Sequence, residues 1–199
     1  MGGIDTILLY SSVIFINVGI SKGNMIFINI GAYSLMVLSS VVCTMLVNKF
    51  GGYRVLFVGT NVLIFSQVLF TISQALTYLA PTVMPTLAVV SIFIYLAAWS
   101  AGINGSVFAV LGEITTDENR TAMYGYAAVS FWIFTWIGAF VPPYLLLGYR
   151  AYAMTPWLVW TVLMLLYIIF CLPDTRGKRS EDIQTQFSQG FFISDCLAP

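Results

Sequence analysis

Long runs of apolar residues alternate with short polar and charged interruptions along the whole 199-residue chain. A bilayer core about 30 Å thick needs about 20 apolar residues in a helix to cross it. The pattern therefore predicts six membrane-spanning helices, at about Ile4–Ile20, Met25–Val47, Val55–Leu76, Thr86–Gly112, Thr121–Leu147 and Pro156–Leu172.

The last predicted helix stops at Pro173, and the remaining residues, Asp174–Pro199, are mostly polar. No linker long enough to separate a second folded domain interrupts the apolar runs. The sequence predicts a transmembrane domain over residues 1–172 and a tail over residues 173–199. We expect an all-α integral membrane protein.

Composition narrows the class of protein further. Hydrophobic residues make up 59% of the chain and charged residues 8%, against about 25% charged residues in soluble domains, so a soluble globular protein is excluded. Zero net charge argues against nucleic acid as a partner. The chain has no histidine, and its three cysteines, Cys43, Cys171 and Cys196, are far apart, so we expect no metal site, no cofactor and no enzymatic chemistry.

Basic residues predict the orientation in the membrane. One side of the predicted bundle carries two, Lys22 and Arg150. The other side carries six, in the loops after the second and fourth helices and in the tail: Lys49, Arg54, Arg120, Arg176, Lys178 and Arg179. Because loops rich in Lys and Arg stay in the cytoplasm, we expect a cytoplasmic tail. The plasma membrane is a separate expectation for the location.

The polar interruptions carry motifs that resemble those of a known family. Leu172–Lys178 reads L-P-D-T-R-G-K and is followed by E-D-I at Glu181–Ile183, similar to the P-E-T-K-G-R…E-E-I sequence after the last helix of sugar porters. Glu113 and Arg120 resemble that family's E-x6-R loop. The chain is thus similar to sugar porters of the major facilitator superfamily.

Two further stretches support the same resemblance. Asn48–Arg54 is similar to a degraded D/E-R-x-G-R-R loop, and Gly3–Ser11 resembles the G-I-N-x-x-x-Y-Y-S stretch of the family's seventh helix. The family has twelve helices in two six-helix halves. The resemblance therefore implies that this chain is the C-terminal half, helices seven to twelve, and that an N-terminal half is its missing partner.

The resemblance also implies a function. A sugar-like small solute would bind between the two halves, and the halves would rock to expose it on alternate sides of the bilayer. The alternative is a non-transporting membrane protein of this family with a binding or regulatory role. A tracer-flux measurement distinguishes the two.

Asp5 is the ionisable residue that lies well inside a predicted span, where charged residues usually face a cavity and have a function. The resemblance places it where the family has a solute-binding Asn, and Tyr10 lies in the same motif. An ionised Asp accepts hydrogen bonds but cannot donate them, and it is also able to bind a proton or a cationic solute. The alternative is that Asp5 lies at the membrane surface, because only four residues precede it.

Three aromatic residues are candidates for the solute site. Trp132 lies in an aromatic fifth span, and aromatic rings stack on the C–H faces of sugars. By resemblance, Phe131 takes a place where glucose carriers have Asn, and Phe108 a place where they have Trp. The alternative for these rings is packing against lipid and neighbouring helices.

The resemblance also suggests moving parts. Gly102 and Gly105 stand where sugar porters have a Gly/Pro-rich helix break, so they are candidates for a hinge; the alternative is close packing of small residues between helices. Arg54, Glu113 and Arg120 are candidates for a cytoplasmic gate, with partners in the missing half. The alternative for these charges is anchoring at the membrane surface.

Overall fold

The computed structural model describes residues 3–17, 22–76, 78–80, 83–149, 152 and 154–172. Within these ranges the chain is helical. The α-helices are α1 (Ile4–Asn17), α2 (Lys22–Phe50), α3 (Gly52–Ala75), α4 (Val83–Ala98), α5 (Gly105–Ile114), α6 (Arg120–Phe140), α7 (Pro142–Tyr149) and α8 (Thr155–Cys171). A π-helical turn, Trp99–Asn104, joins α4 directly to α5.

The described helices agree in part with the six predicted spans. Four helical stretches are long and apolar enough to cross a bilayer: Gly23–Phe50, Gly52–Ala75, Val83–Ile114 and Arg120–Leu145. The first and last helices are shorter, with 14 residues in α1 and 17 in α8. At 1.5 Å per residue they reach about 21 and 26 Å, less than the roughly 30 Å core. The predicted tail, residues 173–199, lies outside the described residues.

The predicted span Thr121–Leu147 agrees with the helical stretch Arg120–Leu145, but an internal break was not predicted: α6 ends at Phe140 and α7 begins at Pro142. Pro142 and Pro143 have no backbone N–H and cannot continue the hydrogen-bond ladder of α6. Proline is tolerated in the first turn of a helix, where the N–H has no partner in any case. The two prolines therefore end one helix and start the next.

A tight turn at Gly51 connects α2 to α3. Its φ angle of 86° lies in the left-handed region that glycine occupies without strain. The turn leaves almost no loop between Phe50 and Gly52, so the two long helices run in opposite directions as neighbours. Gly52 also lies against α5, since a Cβ built on it would be 2.9 Å from a Val110 methyl group.

The core lies where α3 packs against α4, the π-helical turn and α8. Its most deeply buried apolar side chains come from these elements, and include Leu56, Leu63, Ile92, Leu96, Ile103 and Ile168. Buried hydroxyl groups also line this interface, and they donate to carbonyls of their own helix, as Ser66 does to Leu63 and Ser91 to Ala88 at 2.7 Å. Small residues with satisfied hydroxyls let membrane helices approach closely.

Most of α2 and α6, in contrast, expose apolar side chains. Lipid tails are as apolar as these side chains, so exposure to a bilayer costs little. Helix α6 contacts α1, α5 and α7, and α1 also contacts α2 and α4. The α1–α6 contact brings together several of the residues singled out from the sequence.

Candidate functional site

The contact between α1 and α6 is built around the Asp5 carboxyl group. Asp5 is half-buried and hydrogen-bonds the side chain of Thr135. A Cβ built on Gly138 would lie 3.2 Å from Asp5 Oδ2. The carboxyl group therefore fits against α6 because residue 138 is glycine. Thr135 and Gly138 are three residues apart and share one face of α6. The sequence identified Asp5 but missed these two neighbours, because spacing within α6 does not show which helix it faces.

Tyr10 ties the same two helices together farther along. Its hydroxyl donates to the carbonyl oxygen of Ala139 at 2.8 Å. From α2, the Tyr33 hydroxyl donates to the Leu8 carbonyl at 3.4 Å. Tyr10 thus fixes the position of α1 on α6.

Phe131 and Trp132 lie on the same stretch of α6, next to the Asp5 contact. Phe131 is one turn before Thr135 on the shared face, and its ring meets Trp132 edge-on at 5.8 Å. Trp132 is 68% exposed and is free to meet a solute or another helix. Phe134 points the other way, where its ring lies 5.8 Å from that of Trp160 on α8.

Phe108 is separated from this group. It lies on α5, where its ring stacks on Tyr124 at 6.3 Å and its carbonyl accepts from the Tyr124 hydroxyl at 3.0 Å. Tyr124 precedes Thr135 by 11 residues, which is about 16 Å along the helix axis. Asp5 and Tyr10 meet α6 at Thr135–Ala139, within about one to two turns of Phe131 and Trp132 on the same helix, and we call these four residues the α1–α6 group. Phe108 belongs instead to the α5–α6 contact nearer the loop.

The two predicted hinge glycines flank the end of the π-helical turn, and both make close contacts. A Cβ on Gly102 would lie 2.4 Å from the Cα of Gly59, and one on Gly105 would lie 2.8 Å from the Cys43 sulfur. The Ser106 hydroxyl donates to the Gly102 carbonyl. These contacts agree with close packing of small residues. The π-helical turn itself, a geometry that often occurs at functional sites, was not predicted.

The three predicted gate residues lie at one end of the bundle. Arg54 is exposed near the start of α3, Glu113 is half-buried near the end of α5, and Arg120 begins α6. Arg120 Nη1 lies 3.0 Å from Asp117 Oδ1 in an exposed pair with i,i+3 spacing. Asp117 was not singled out from the sequence, although its spacing to Arg120 would have indicated the pair.

Tyr95 of α4 is a further neighbour of Asp5 that the sequence did not reveal. It is buried on α4, which contacts α1, the helix that carries Asp5. Tyr95 also lines a small, mostly apolar cavity with Ile7, Ser66 and Ser91 that has room for about one water molecule. Among the described residues no group of three His, Cys, Asp or Glu side chains is placed to hold a metal ion.

Long apolar helices packed through small residues, with one carboxyl group between two of them, define an integral membrane protein of the helical-bundle class. The model of the "Sugar (and other) transporter" family matches residues 1–187. The chain belongs to this family, and the predicted resemblance to sugar porters is confirmed.

Named relatives agree with this assignment. The chain is 22% identical to "Solute carrier family 2, facilitated glucose transporter member 5" of Equus caballus, over 98% of this chain and 39% of that protein. It is 27% identical to "H(+)/hexose cotransporter 1" of Parachlorella kessleri, over 99% of this chain and 38% of that protein. These relatives are transporters and not enzymes.

The fold agrees as well. The structure of the major facilitator superfamily proton:xylose symporter XylE bound to 6-bromo-6-deoxy-D-glucose matches with a TM-score of 0.76 and 20% identity, over 93% of this chain and 39% of that one. The chain spans about two fifths of the length of the relatives it matches.

Proposed function

We propose that this chain is the C-terminal half of a sugar-porter-like transporter, which moves a sugar-like solute across a membrane by alternating access. The observation that carries the proposal is the family match over residues 1–187. The choice of half is supported by motif order, because L-P-D-T-R-G-K follows the last apolar run, as the related sequence follows the last helix of sugar porters. An N-terminal six-helix half would be the partner, and the lipid bilayer the solvent.

In this proposal the α1–α6 group forms part of the solute site. The Asp5 carboxylate would accept hydrogen bonds from solute hydroxyls, and Trp132 would stack on an apolar face of the solute. The ring of Phe131 packs against that of Trp132 and would limit the space for the solute beside it. Tyr10 holds α1 against α6 through its hydrogen bond to the Ala139 carbonyl. Phe108, which contacts Tyr124, would line the path toward the cytoplasm.

Arg54, Glu113 and Arg120 would form the cytoplasmic gate with charges of the other half. Gly102 and Gly105 would form a hinge where helices pack closely, not a flexible loop, because Gly59 and Cys43 lie against them.

The tail would lie in the cytoplasm, and the protein would lie in the plasma membrane. The alternative remains a non-transporting binding or regulatory protein, favoured by the departure of Asn48–Arg54 from the family pattern.

Tracer flux tests the proposal. The longest gene product that carries this chain is expressed in cells that lack hexose uptake, and uptake of labelled neutral hexoses, polyols and amino sugars is measured. We expect saturable uptake of at least one of these solutes. The 199-residue chain alone, reconstituted in liposomes, should give none, because α2 and α6 leave most of their surface without a protein partner.

Two outcomes would contradict the proposal. Correct membrane insertion of the longest product without flux of any of these solutes would favour the non-transporting alternative. Saturable flux through the purified 199-residue chain would contradict the half-transporter assignment and indicate that copies of this chain complete one another.

A further inference from the structure

Asp5 is the acidic residue that the described structure places inside the helical bundle. The other described acidic residues, Glu113, Asp117 and Glu118, lie at the α5–α6 turn. A carboxyl group within the membrane is costly when charged, and such groups often carry or relay protons in transporters. We propose that Asp5 is a proton-binding site, which takes up and releases a proton between α1, α4 and α6.

The surroundings of Asp5 place it well inside the apolar span. Its partner Thr135 lies in the stretch Arg120–Leu145, which is long and apolar enough to cross a bilayer. At 1.5 Å per residue, Thr135 is about 22 Å from Arg120 and about 15 Å from Leu145 along the axis. The sequence analysis left open that Asp5 lies at the membrane surface. The position of Thr135 far from both ends of the apolar stretch does not fit that alternative.

The neighbours of Asp5 suit a group that changes its protonation state. A hydroxyl group is both a donor and an acceptor, so Thr135 is able to donate to the carboxylate and to accept from the protonated acid. Guanidinium and ammonium groups only donate, and they hold a carboxylate in its charged form. The hydroxyl of Thr135 therefore serves both states without any movement of the helices.

The charged and titratable groups around Asp5 are few. Tyr95 faces it from α4, Tyr10 follows it on α1, and α2 contributes Tyr33 at the Leu8 carbonyl. From α6 the facing residues are Thr135 and Gly138, neither of which titrates. The amino terminus at Met1 lies four residues before Asp5 in the sequence and outside the described residues.

The described basic side chains are distant. Arg120 is about 22 Å from Thr135 along α6. Lys49 and Arg54 flank Gly52, which packs on Val110, and Val110 is 15 residues from Tyr95 along the helical stretch Val83–Ile114. That separation is again about 22 Å. None of these three cations is therefore close enough to pair with the Asp5 carboxyl group.

Tyr95 adds a group that suits either state of the carboxyl group. It is buried on α4, which contacts α1, and it lines a small, mostly apolar cavity. A phenol hydroxyl both donates and accepts hydrogen bonds, and unlike an ammonium or guanidinium group it carries no positive charge that would hold Asp5 ionised.

Infrared spectroscopy of the purified chain in lipid nanodiscs tests proton binding directly. A protonated carboxyl group absorbs at a frequency separate from that of the carboxylate, so a pH titration follows its proton. We expect a protonated-carboxyl band that disappears in Asp5→Asn and persists in Asp117→Asn, whose carboxyl group is 91% exposed. Thr135→Val should shift the frequency of the band, because it removes the hydrogen bond, and this variant keeps the test valid if Asp5→Asn does not fold.

A titration in which neither Asp5→Asn nor Thr135→Val changes any carboxyl band would overturn the proposal.

A second measurement tests whether binding of this proton is coupled to solute movement, a step that rests on the proposed function. In the longest gene product, solute-driven proton uptake should be present in the parent and lost in Asp5→Asn. Absence of solute flux together with a titrating band would refute the transport function but leave the proton site in place. Proton uptake retained in Asp5→Asn would refute the coupling.

Discussion

Gly59 of α3 and Gly102 of the π-helical turn touch through their backbones. A Cβ built on Gly59 would lie 2.5 Å from the Gly102 Cα, and one built on Gly102 would lie 2.4 Å from the Gly59 Cα. Both distances are far below van der Waals contact, and the obstructing atoms belong to backbone that cannot rotate away. The crossing of α3 with the π-helical turn therefore requires glycine on both sides.

Alanine at either glycine should destabilise the protein. Gly59→Ala and Gly102→Ala each force the helices apart and disturb the buried side chains around Leu63 and Ile103, and overpacking of this kind costs about 1–3 kcal/mol. We expect a lower apparent melting temperature in detergent and lower expression for both variants. Fluorescence-detected size-exclusion after heating measures this directly.

Gly125 of α6 is the matched control for these substitutions. No atom lies within 4 Å of a Cβ built there, so Gly125→Ala should leave the melting temperature unchanged or raise it slightly, since alanine favours a helix more than glycine does. Equal melting temperatures for Gly102→Ala and Gly125→Ala would mean that the close backbone contact does not exist in the membrane.

The sequence predicts the helical segments well because length and hydropathy determine them. The run Val55–Leu76 became α3, with ends at Gly52 and Ala75, because Gly51 and the residues after Leu76 interrupt the helix. The sequence predicts breaks within a long helical stretch poorly. The end of α6 at Phe140 depends on Pro142, which lies within an apolar run and leaves hydropathy unchanged.

The candidate site was predictable only in part. Asp5 was recognisable because a charge in an apolar run is rare. Its neighbours Thr135, Gly138 and Tyr95 are common residue types in membrane helices, and their roles depend on which helices are in contact. A single sequence does not show which helices are in contact. Gly102 shows the same limit, since a glycine in a helix indicates either a hinge or a contact, and its contact with Gly59 becomes visible only in three dimensions.

Cysteine labelling tests the orientation predicted from the basic residues. In a background without Cys43, Cys171 and Cys196, Ser188→Cys in the tail should react with a membrane-impermeant maleimide only after permeabilisation. Tyr78→Cys, in the turn between α3 and α4 and 78% exposed, should react in intact cells. The opposite labelling pattern would invert the topology, and labelling of both sites in intact cells would contradict a two-sided arrangement.

Trp132 should contribute to solute affinity if the α1–α6 group binds solute. Loss of an aromatic contact costs about 0.5–1.5 kcal/mol, so Trp132→Ala should raise the apparent KM by about 2- to 12-fold with little change in expression. Trp136 lies one turn farther on, is 63% exposed and pairs with Phe140 at 5.0 Å, so Trp136→Ala is the control. Concentration-dependent tracer uptake in the longest gene product gives both values. An unchanged KM in Trp132→Ala, or equal changes in the two variants, would assign the ring to packing.

The Arg120–Asp117 pair makes it possible to separate a gate role of Arg120 from its local interaction. The exposed pair contributes about 0–1 kcal/mol, so breaking it has little effect on stability. If Arg120 also reaches a carboxylate of the facing half, it can hold that group with two parallel hydrogen bonds. Arg120→Gln then removes the gate contact, whereas Asp117→Asn removes only the local partner and leaves the guanidinium in place.

Accessibility of the central cavity from the cytoplasm is the measurement. Ser106 is unsuitable as a reporter because it is buried and its hydroxyl bonds Gly102, so Val107→Cys, at a position 38% exposed, takes its place. In the longest gene product, Arg120→Gln and Glu113→Gln should increase cytoplasmic labelling of this cysteine, and Asp117→Asn should not. The equilibrium between inward-open and outward-open states amounts to a few kcal/mol, so losing several ion pairs between the two halves would shift it. Equal labelling in the parent and in both Gln variants would show that Glu113 and Arg120 only anchor the helix ends at the membrane surface.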